Sequence, residues 1–394
     1  MKVLPKRPSL DHLRQQAKDL HSRRRATDPA ATLADAQSEL AEEYGFRTWS
    51  ELKAEVDRVL HNQKTVHPDT ANRLADAFDL GTPTGEMVGA EQAWAGEIWL
   101  LPTDSGTWAA TELFDWTPVS EVGLSDQVRL VEAARSAGVV TPRPVRSRQG
   151  EVLVTLGERR WRVHEHIKLG PASLDATPTV ASTAGEVLGV LHRLALPTEQ
   201  SVAASPTDSI QARWLSWQRS EEQWRLLVAR AARAGAAWAT RLEQAIPGLV
   251  EVASACEDLS DEPVILSKRW FVPDNVRPGP GGVSVVLGWD HAGAIPKRQE
   301  LGDCLAAFHT VEDPGVARAF MAGYRRACPD PPPLGMGMFT TAISAAQNWL
   351  ATRIEVALYS EDSERRQLAE REVPGLLASP PSLEGYRALL DAIT

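Results

Sequence analysis

Lys268, Asn275, Asp290 and His291 bring an amine, an amide, a carboxylate and an imidazole into one short region of the chain. A carboxylate beside an imidazole can serve as an acid and base pair when a substrate presents its proton within reach. Arg269 adds a second cation next to Lys268, and Trp270 and Trp289 add broad apolar faces. That mixture suits a ligand with an anionic group beside an apolar body. Lys268, Asp290 and His291 are the catalytic candidates, and Arg269, Trp270, Asn275 and Trp289 are candidates for ligand contact.

Two elements must position these groups. An apolar strand at Ile265-Leu-Ser267 runs into the loop Lys268-Arg-Trp-Phe-Val-Pro-Asp-Asn275, and a second strand at Val285-Val-Leu-Gly288 ends in Trp289-Asp290. The pair resembles the catalytic and metal loops of the aminoglycoside phosphotransferase and choline kinase family, distant relatives of protein kinases. In that family the first loop reads H-x-D-x-x-x-x-N. Its Asp accepts the proton of the substrate hydroxyl and its Asn binds magnesium, while a second Asp on the next strand binds the ion that bridges the phosphates. Laid on that pattern, Lys268 stands at the His, Trp270 at the catalytic Asp and Gly288 at the metal-binding Asp, and Asn275 is kept. A slipped register, with Asp274 or Asp290 taking over, is the alternative. Against it, Asp290 follows Trp289 as the second acid of the family's D-W-[DE] motif does.

The upstream half of such a site lies on a hairpin, here Ala93-Trp-Ala-Gly-Glu-Ile-Trp-Leu-Leu101, the turn Asp104-Ser-Gly106, and Thr107 to Phe114. The resemblance leaves one glycine, Gly96, in the turn over the phosphates and puts Thr111 where the family carries its lysine. The strand Trp161-Arg-Val-His-Glu-His-Ile167 leads, in the family, to the hinge that meets adenine. Thr111, Glu165 and Gly288 join the ligand-binding candidates through the resemblance.

A positioned base contributes roughly 10²–10⁴-fold, and magnesium without its main carboxylate is held poorly. The Trp270 indole also fills the space where a nucleophilic hydroxyl has to sit. Ordinary ATP-dependent phosphoryl transfer is therefore not expected, nor is a bound metal or other cofactor. His164 and His166 share a face of their strand, and with no third ligand in sight they read as polar strand positions.

The rest of the chain supplies the scaffold. Residues 1 to 62 read as a helical unit with an N-cap at Ser9, a second helix from Ala30 to Tyr44 stopped by Gly45, and a third opened by Thr48-Trp-Ser-Glu51. Leu4-Pro-x-Arg-Pro-Ser-Leu10, Ala34-Asp-Ala-Gln37 and Glu43-Tyr-Gly-Phe46 with Trp49 resemble a module that opens actinobacterial ankyrin-repeat proteins. Its basic segment, ending in Arg23-Arg-Arg25, is a candidate docking patch for a partner protein or peptide. Residues 70 to 169 read as the small lobe of a bilobal, α+β, protein-kinase-like fold. A helix is expected near Leu124 to Ala137, and two strands bracketing Gly150 have the pattern of a hairpin. Residues 170 to 394 read as the large, mostly helical lobe, with a long helical stretch over Ile210 to Ala245 and another near Leu249 to Leu259.

Composition narrows the partners. A net charge of −10 argues against nucleic acid, and no apolar run is long enough for a membrane span. Cys256, Cys304 and Cys328 are widely spaced, as reduced thiols in a cytoplasmic chain are. The expected function is a pseudokinase that binds a small molecule or peptide in the cleft between its lobes. The alternatives are a reassigned tailoring enzyme, such as a cyclase or lyase of lanthipeptide type, and a small-molecule kinase with displaced acids.

Overall fold

The computed structural model describes residues 10–25, 32–44, 49, 52–53, 56, 68–92, 95–114, 121–170, 176–198, 218–259, 261–308, 314–361 and 363–394. The expected N-cap at Ser9, the stop at Gly45 and the capping box at Thr48-Glu51 lie outside them. The chain divides into two compact units, Met1–Thr117 with Arg143–His166, and Pro118–Pro142 with Ile167–Thr394.

In the first unit, α1 (Leu10–Arg25) and α2 (Leu33–Glu43) meet through Leu13, Ala17, Leu40 and Ala41, with Leu52 and Val56 in the same small core. Thr32 starts α2 by a reciprocal cap. Its hydroxyl accepts the Asp35 N–H at 3.2 Å while the Asp35 carboxylate accepts the Thr32 N–H at 2.8 Å. Helix α3 (Pro68–Phe78) places Ala71, Leu74, Ala75 and Phe78 on one face at helical spacing. That face packs on Trp99, Leu101, Ala110, Trp161 and Val163 of an antiparallel sheet.

The sheet holds β1 (Val88–Gln92), β2 (Gly96–Thr103), β3 (Gly106–Leu113), β4 (Pro144–Val145), β5 (Val154–Leu156) and β6 (Arg159–Glu165). Its order is β1-β2-β3-β6-β4, with β5 also on β6. The hairpin expected around Gly150 does not form as such. Gly150 does sit in a turn, donating to the Ser147 carbonyl at 2.8 Å. Yet β4 and β5 each pair with β6 and not with one another, because β6 offers an edge long enough for both.

The second unit contains α4 (Glu121–Ser136), α5 (Pro178–Leu194), α6 (Glu221–Arg233), α7 (Ala239–Ala253), β7 (Val264–Ser267), β8 (Val276–Pro278), β9 (Ser284–Val286) and β10 (Gly293–Pro296). Then follow α8 (Lys297–Phe308), α9 (Pro314–Ala327), α10 (Thr340–Tyr359), α11 (Ser363–Ala378) and α12 (Leu383–Ile393). The long helix expected over 210 to 245 is broken. Gly235, at φ +71°, ends α6, and α7 runs through the start of the helix expected at Leu249. Residues 210–217 of that stretch lie outside the described ones.

Helices α5 and α9 approach closely because their contact is made of small residues. A Cβ on Gly185 would overlap the Phe320 carbonyl, and one on Gly323 would overlap that of Ser182. A first core in this unit surrounds α5, α8 and α9, including Leu188, Leu301, Phe308 and Phe320. A second lies among α6, α7, α10 and α11 around Trp224, Leu242 and Ile354. Among the described residues no helix is long and apolar enough to cross a membrane.

Candidate functional site

Strand pairing brings the candidate loops of the second unit together. β7 pairs antiparallel with β10, Ser267 opposite Gly293, so the residues after Ser267 and those before Gly293 are neighbours. β8 and β9 form a hairpin with Val276 opposite Val286. Its open end joins Asn275 to Leu287, whose N–H donates to the Asn275 carbonyl at 2.8 Å.

Lys268 is wholly buried at the meeting point of these loops. Its Nζ donates to Asn275 Oδ1 at 2.7 Å and to the Gly288 carbonyl at 2.8 Å. The ammonium also lies 4.7 Å from the centre of the Phe271 ring and 5.8 Å from that of Trp289. Burial lowers the amine's pKa from 10.5 to about 8. This amine faces the interior.

Gly288 adopts φ +71°, and a Cβ there would stand 2.8 Å from Asn275 Nδ2 and 2.9 Å from its Oδ1. A side chain at this position therefore has to displace the amide. Asn275 Nδ2 in turn donates to Asp274 Oδ1 at 3.1 Å. These residues do not fit a divalent ion: the space beside Gly288 is filled by Asn275, and two of the oxygens that could ligate the ion accept from a cation already. Among the described residues no cluster of three His, Cys, Asp or Glu could hold a metal.

The next two residues, Arg269 at φ +57° and Trp270 at φ +40°, are both left-handed without being glycine. Such geometry costs roughly 1–2 kcal/mol per residue, so something must hold it. The Arg269 N–H donates to Glu300 Oε1 at 2.7 Å, and Glu300 Oε2 lies 2.9 Å from His192 Nε2. His192 Nδ1 lies 2.7 Å from the Tyr324 hydroxyl. One tautomer satisfies all three groups, with Nε2–H donating to Glu300 and Nδ1 accepting from Tyr324. Burial opposes ionisation of Glu300, yet the His192 interactions and the Arg269 N–H keep its carboxyl below the usual range. Burial pushes the Tyr324 hydroxyl pKa up, so it stays a donor.

The latch turns Trp270 outward. Its indole is 45% exposed, and the His291 ring lies 5.8 Å away at a 38° tilt. Burial lowers the His291 pKa to about 4, only partly offset by Asp290. Asp290 accepts from Gln127 of α4 at 3.3 Å. Trp289 points into the core, its Nε1 donating to Thr141 Oγ1 at 2.7 Å.

Of the residues singled out from sequence, Lys268, Arg269, Trp270, Asn275, Gly288, Trp289, Asp290 and His291 come together in the second unit. Thr111 and Glu165 belong to the first. There Thr111 is buried on β3 opposite Arg162 of β6, and Glu165 ends β6 with its N–H on the Arg143 carbonyl at 2.9 Å. His192, Glu300 and Tyr324 were missed by the sequence reading. A buried-side His in the run Leu188-Gly-Val-Leu-His-Arg-Leu194 was the available signal for the first.

A model described as the phosphotransferase enzyme family matches residues 115–335. No curated protein matches the chain. Among solved structures, an aminoglycoside phosphotransferase from Alicyclobacillus acidocaldarius is 14% identical, with a TM-score of 0.57 over 84% of this chain and 96% of that one. A microcompartment-associated aminopropanol kinase is 14% identical, with a TM-score of 0.54 over 83% and 99%. A spectinomycin phosphotransferase in complex with ADP and spectinomycin is 12% identical, with a TM-score of 0.53 over 83% and 98%. At these identities the likeness establishes the fold, an α+β protein-kinase-like one with additional N-terminal helices.

Proposed function

The chain belongs to the phosphotransferase enzyme family, and we propose that it binds a small molecule or peptide on the family's scaffold without transferring phosphate. The observation that carries this reading is Trp270. Where the family resemblance puts the base that takes the hydroxyl proton, this chain presents an exposed indole in a left-handed conformation. An indole accepts no proton, and its face suits an apolar or planar part of a ligand. Arg269 beside it supplies a cation for an anionic group. One phosphotransferase of this fold was solved with spectinomycin bound, and we favour a small-molecule or peptide ligand for this chain, within bacterial specialised metabolism.

The tailoring-enzyme alternative needs a proton acceptor matched to neutral pH. His291, at about 4, is a poor one, and Lys268 is wholly buried. These facts support binding over chemistry. Arg23, Arg24 and Arg25, exposed in the last turn of α1, support docking of an acidic partner there, although Arg24 also pairs with Glu39 at 2.9 Å.

The test is incubation with γ-labelled ATP and Mg²⁺ in the presence of aminoglycoside, amino-alcohol and peptide acceptors. No label should leave ATP. Magnesium-dependent transfer to any acceptor would restore the third reading, an active kinase with displaced acids.

A further inference from the structure

This inference rests on the non-catalytic reading and deepens it. The loops that meet at residue 268 hold two oxygens, Asn275 Oδ1 and the Gly288 carbonyl, aimed at one nitrogen from 2.7 and 2.8 Å. Glu300, Asp290 and Asp274 are the carboxylates whose charge acts on that nitrogen. Convergent neutral oxygens within an acidic surround describe a cation site, and here the cation is part of the chain. Its aliphatic stem comes from the residue that follows β7, and the rings of Phe271 and Trp289 complete the enclosure.

We infer that the Lys268 ammonium is a tethered replacement for the divalent ion of this family, and that the site therefore receives a ligand that brings no metal with it. Two features make the replacement specific. Gly288 leaves room for the Asn275 amide to turn toward the amine, because a Cβ at 288 would press on that amide. The ammonium, unlike a hydrated ion, needs no open coordination position, which agrees with its complete burial. Metal-chelated polyphosphates are excluded as ligands on this view. Metal-free anions and uncharged natural products remain.

Manganese tests this without knowledge of the ligand. Titration of the full chain with Mn²⁺, followed by electron paramagnetic resonance with and without ADP, is expected to show only free ion. Lys268→Ala is expected to melt roughly 5–10 °C lower, and the double variant Lys268→Ala/Gly288→Asp, which frees the two oxygens and supplies a carboxylate, is expected to gain several degrees on addition of Mn²⁺, whereas the parent does not move. Mn²⁺ bound by the parent and lost in Asn275→Ala overturns the inference, as does a folded Lys268→Ala/Gly288→Asp that Mn²⁺ leaves unmoved. If the double variant fails to fold, the titration of the parent decides alone. The two readings fail separately: bound Mn²⁺ without label transfer from ATP sinks the tethered cation only, and label transfer without bound Mn²⁺ sinks the non-catalytic reading only.

Discussion

Glu300 accepts the backbone N–H of Arg269 at 2.7 Å, and this bond fixes the first of two consecutive left-handed residues. Removing a carboxylate that serves buried donors leaves each of them unsatisfied, at about 1–3 kcal/mol apiece. Glu300→Ala is therefore expected to lower the unfolding free energy in urea by about 3 kcal/mol, since it leaves the Arg269 N–H and His192 Nε2–H without an acceptor. Glu300→Gln keeps a carbonyl oxygen for the Arg269 N–H and should lose clearly less. Equal losses in the two variants would show that the latch does not act through that oxygen.

Trp270 is held against its own backbone preference, and it is about half exposed beside the His291 ring. Trp270→Gly is expected to keep or raise stability, by up to about 1 kcal/mol, which thermal unfolding measures. A loss of several kcal/mol would mean that the indole packs as core, contrary to its exposure.

The Lys268 amine makes stability depend on pH with a definite sign. Its pKa is lowered from 10.5 to about 8 by burial. Between those values the unfolded chain holds a proton that the folded chain has released, so stability rises with pH across this window. The penalty for burying the charge is fully present below pH 8 and gone above 10.5. Relative to Lys268→Met, the parent should gain up to about 3 kcal/mol over that range. A difference between the two that stays flat with pH refutes the buried charge.

Gly288→Asp puts back the residue type that the family resemblance implies. The new Cβ meets the Asn275 amide at 2.8–2.9 Å and forces a side chain onto φ +71°. The expected result is a loss of about 1–3 kcal/mol and no phosphoryl transfer, measured by chemical denaturation and by label release from ATP. Full stability in this variant would mean that Asn275 can move aside.

Gly185→Val is expected to be the most damaging of these changes, since the Phe320 carbonyl occupies the space of the added side chain. Overpacking typically costs about 1–3 kcal/mol, and here backbone is what must move. The readout is loss of soluble, cooperatively unfolding protein. A variant with parental stability would show that α5 and α9 can separate freely.

Much of the scaffold was legible from pattern alone. The strand over Trp161–Ile167, found as β6 (Arg159–Glu165), and the helix expected near Leu124 to Ala137, found as α4 (Glu121–Ser136), follow from alternation and helical spacing. Two readings failed for tertiary reasons. The turn at Gly150 was sound, but strand partners are chosen by which edge is available, and β6 took both β4 and β5. A helical pattern over 210 to 245 could not reveal that Gly235 would be used as a helix end.

The sequence by itself determined the loop frame around residues 268 to 291 and the identities of the groups within it. In the register that the family resemblance implies, a tryptophan, a lysine and a glycine stand where acids and a histidine are expected. Which way those groups face was decided only by the tertiary structure. His192 reaches Glu300 across 108 residues of chain and Tyr324 across 132. Packing alone brings such distant groups into hydrogen-bond range. The same packing turns Lys268 inward and Trp270 outward, because one buried carboxylate holds the backbone between them in a conformation no local preference would choose.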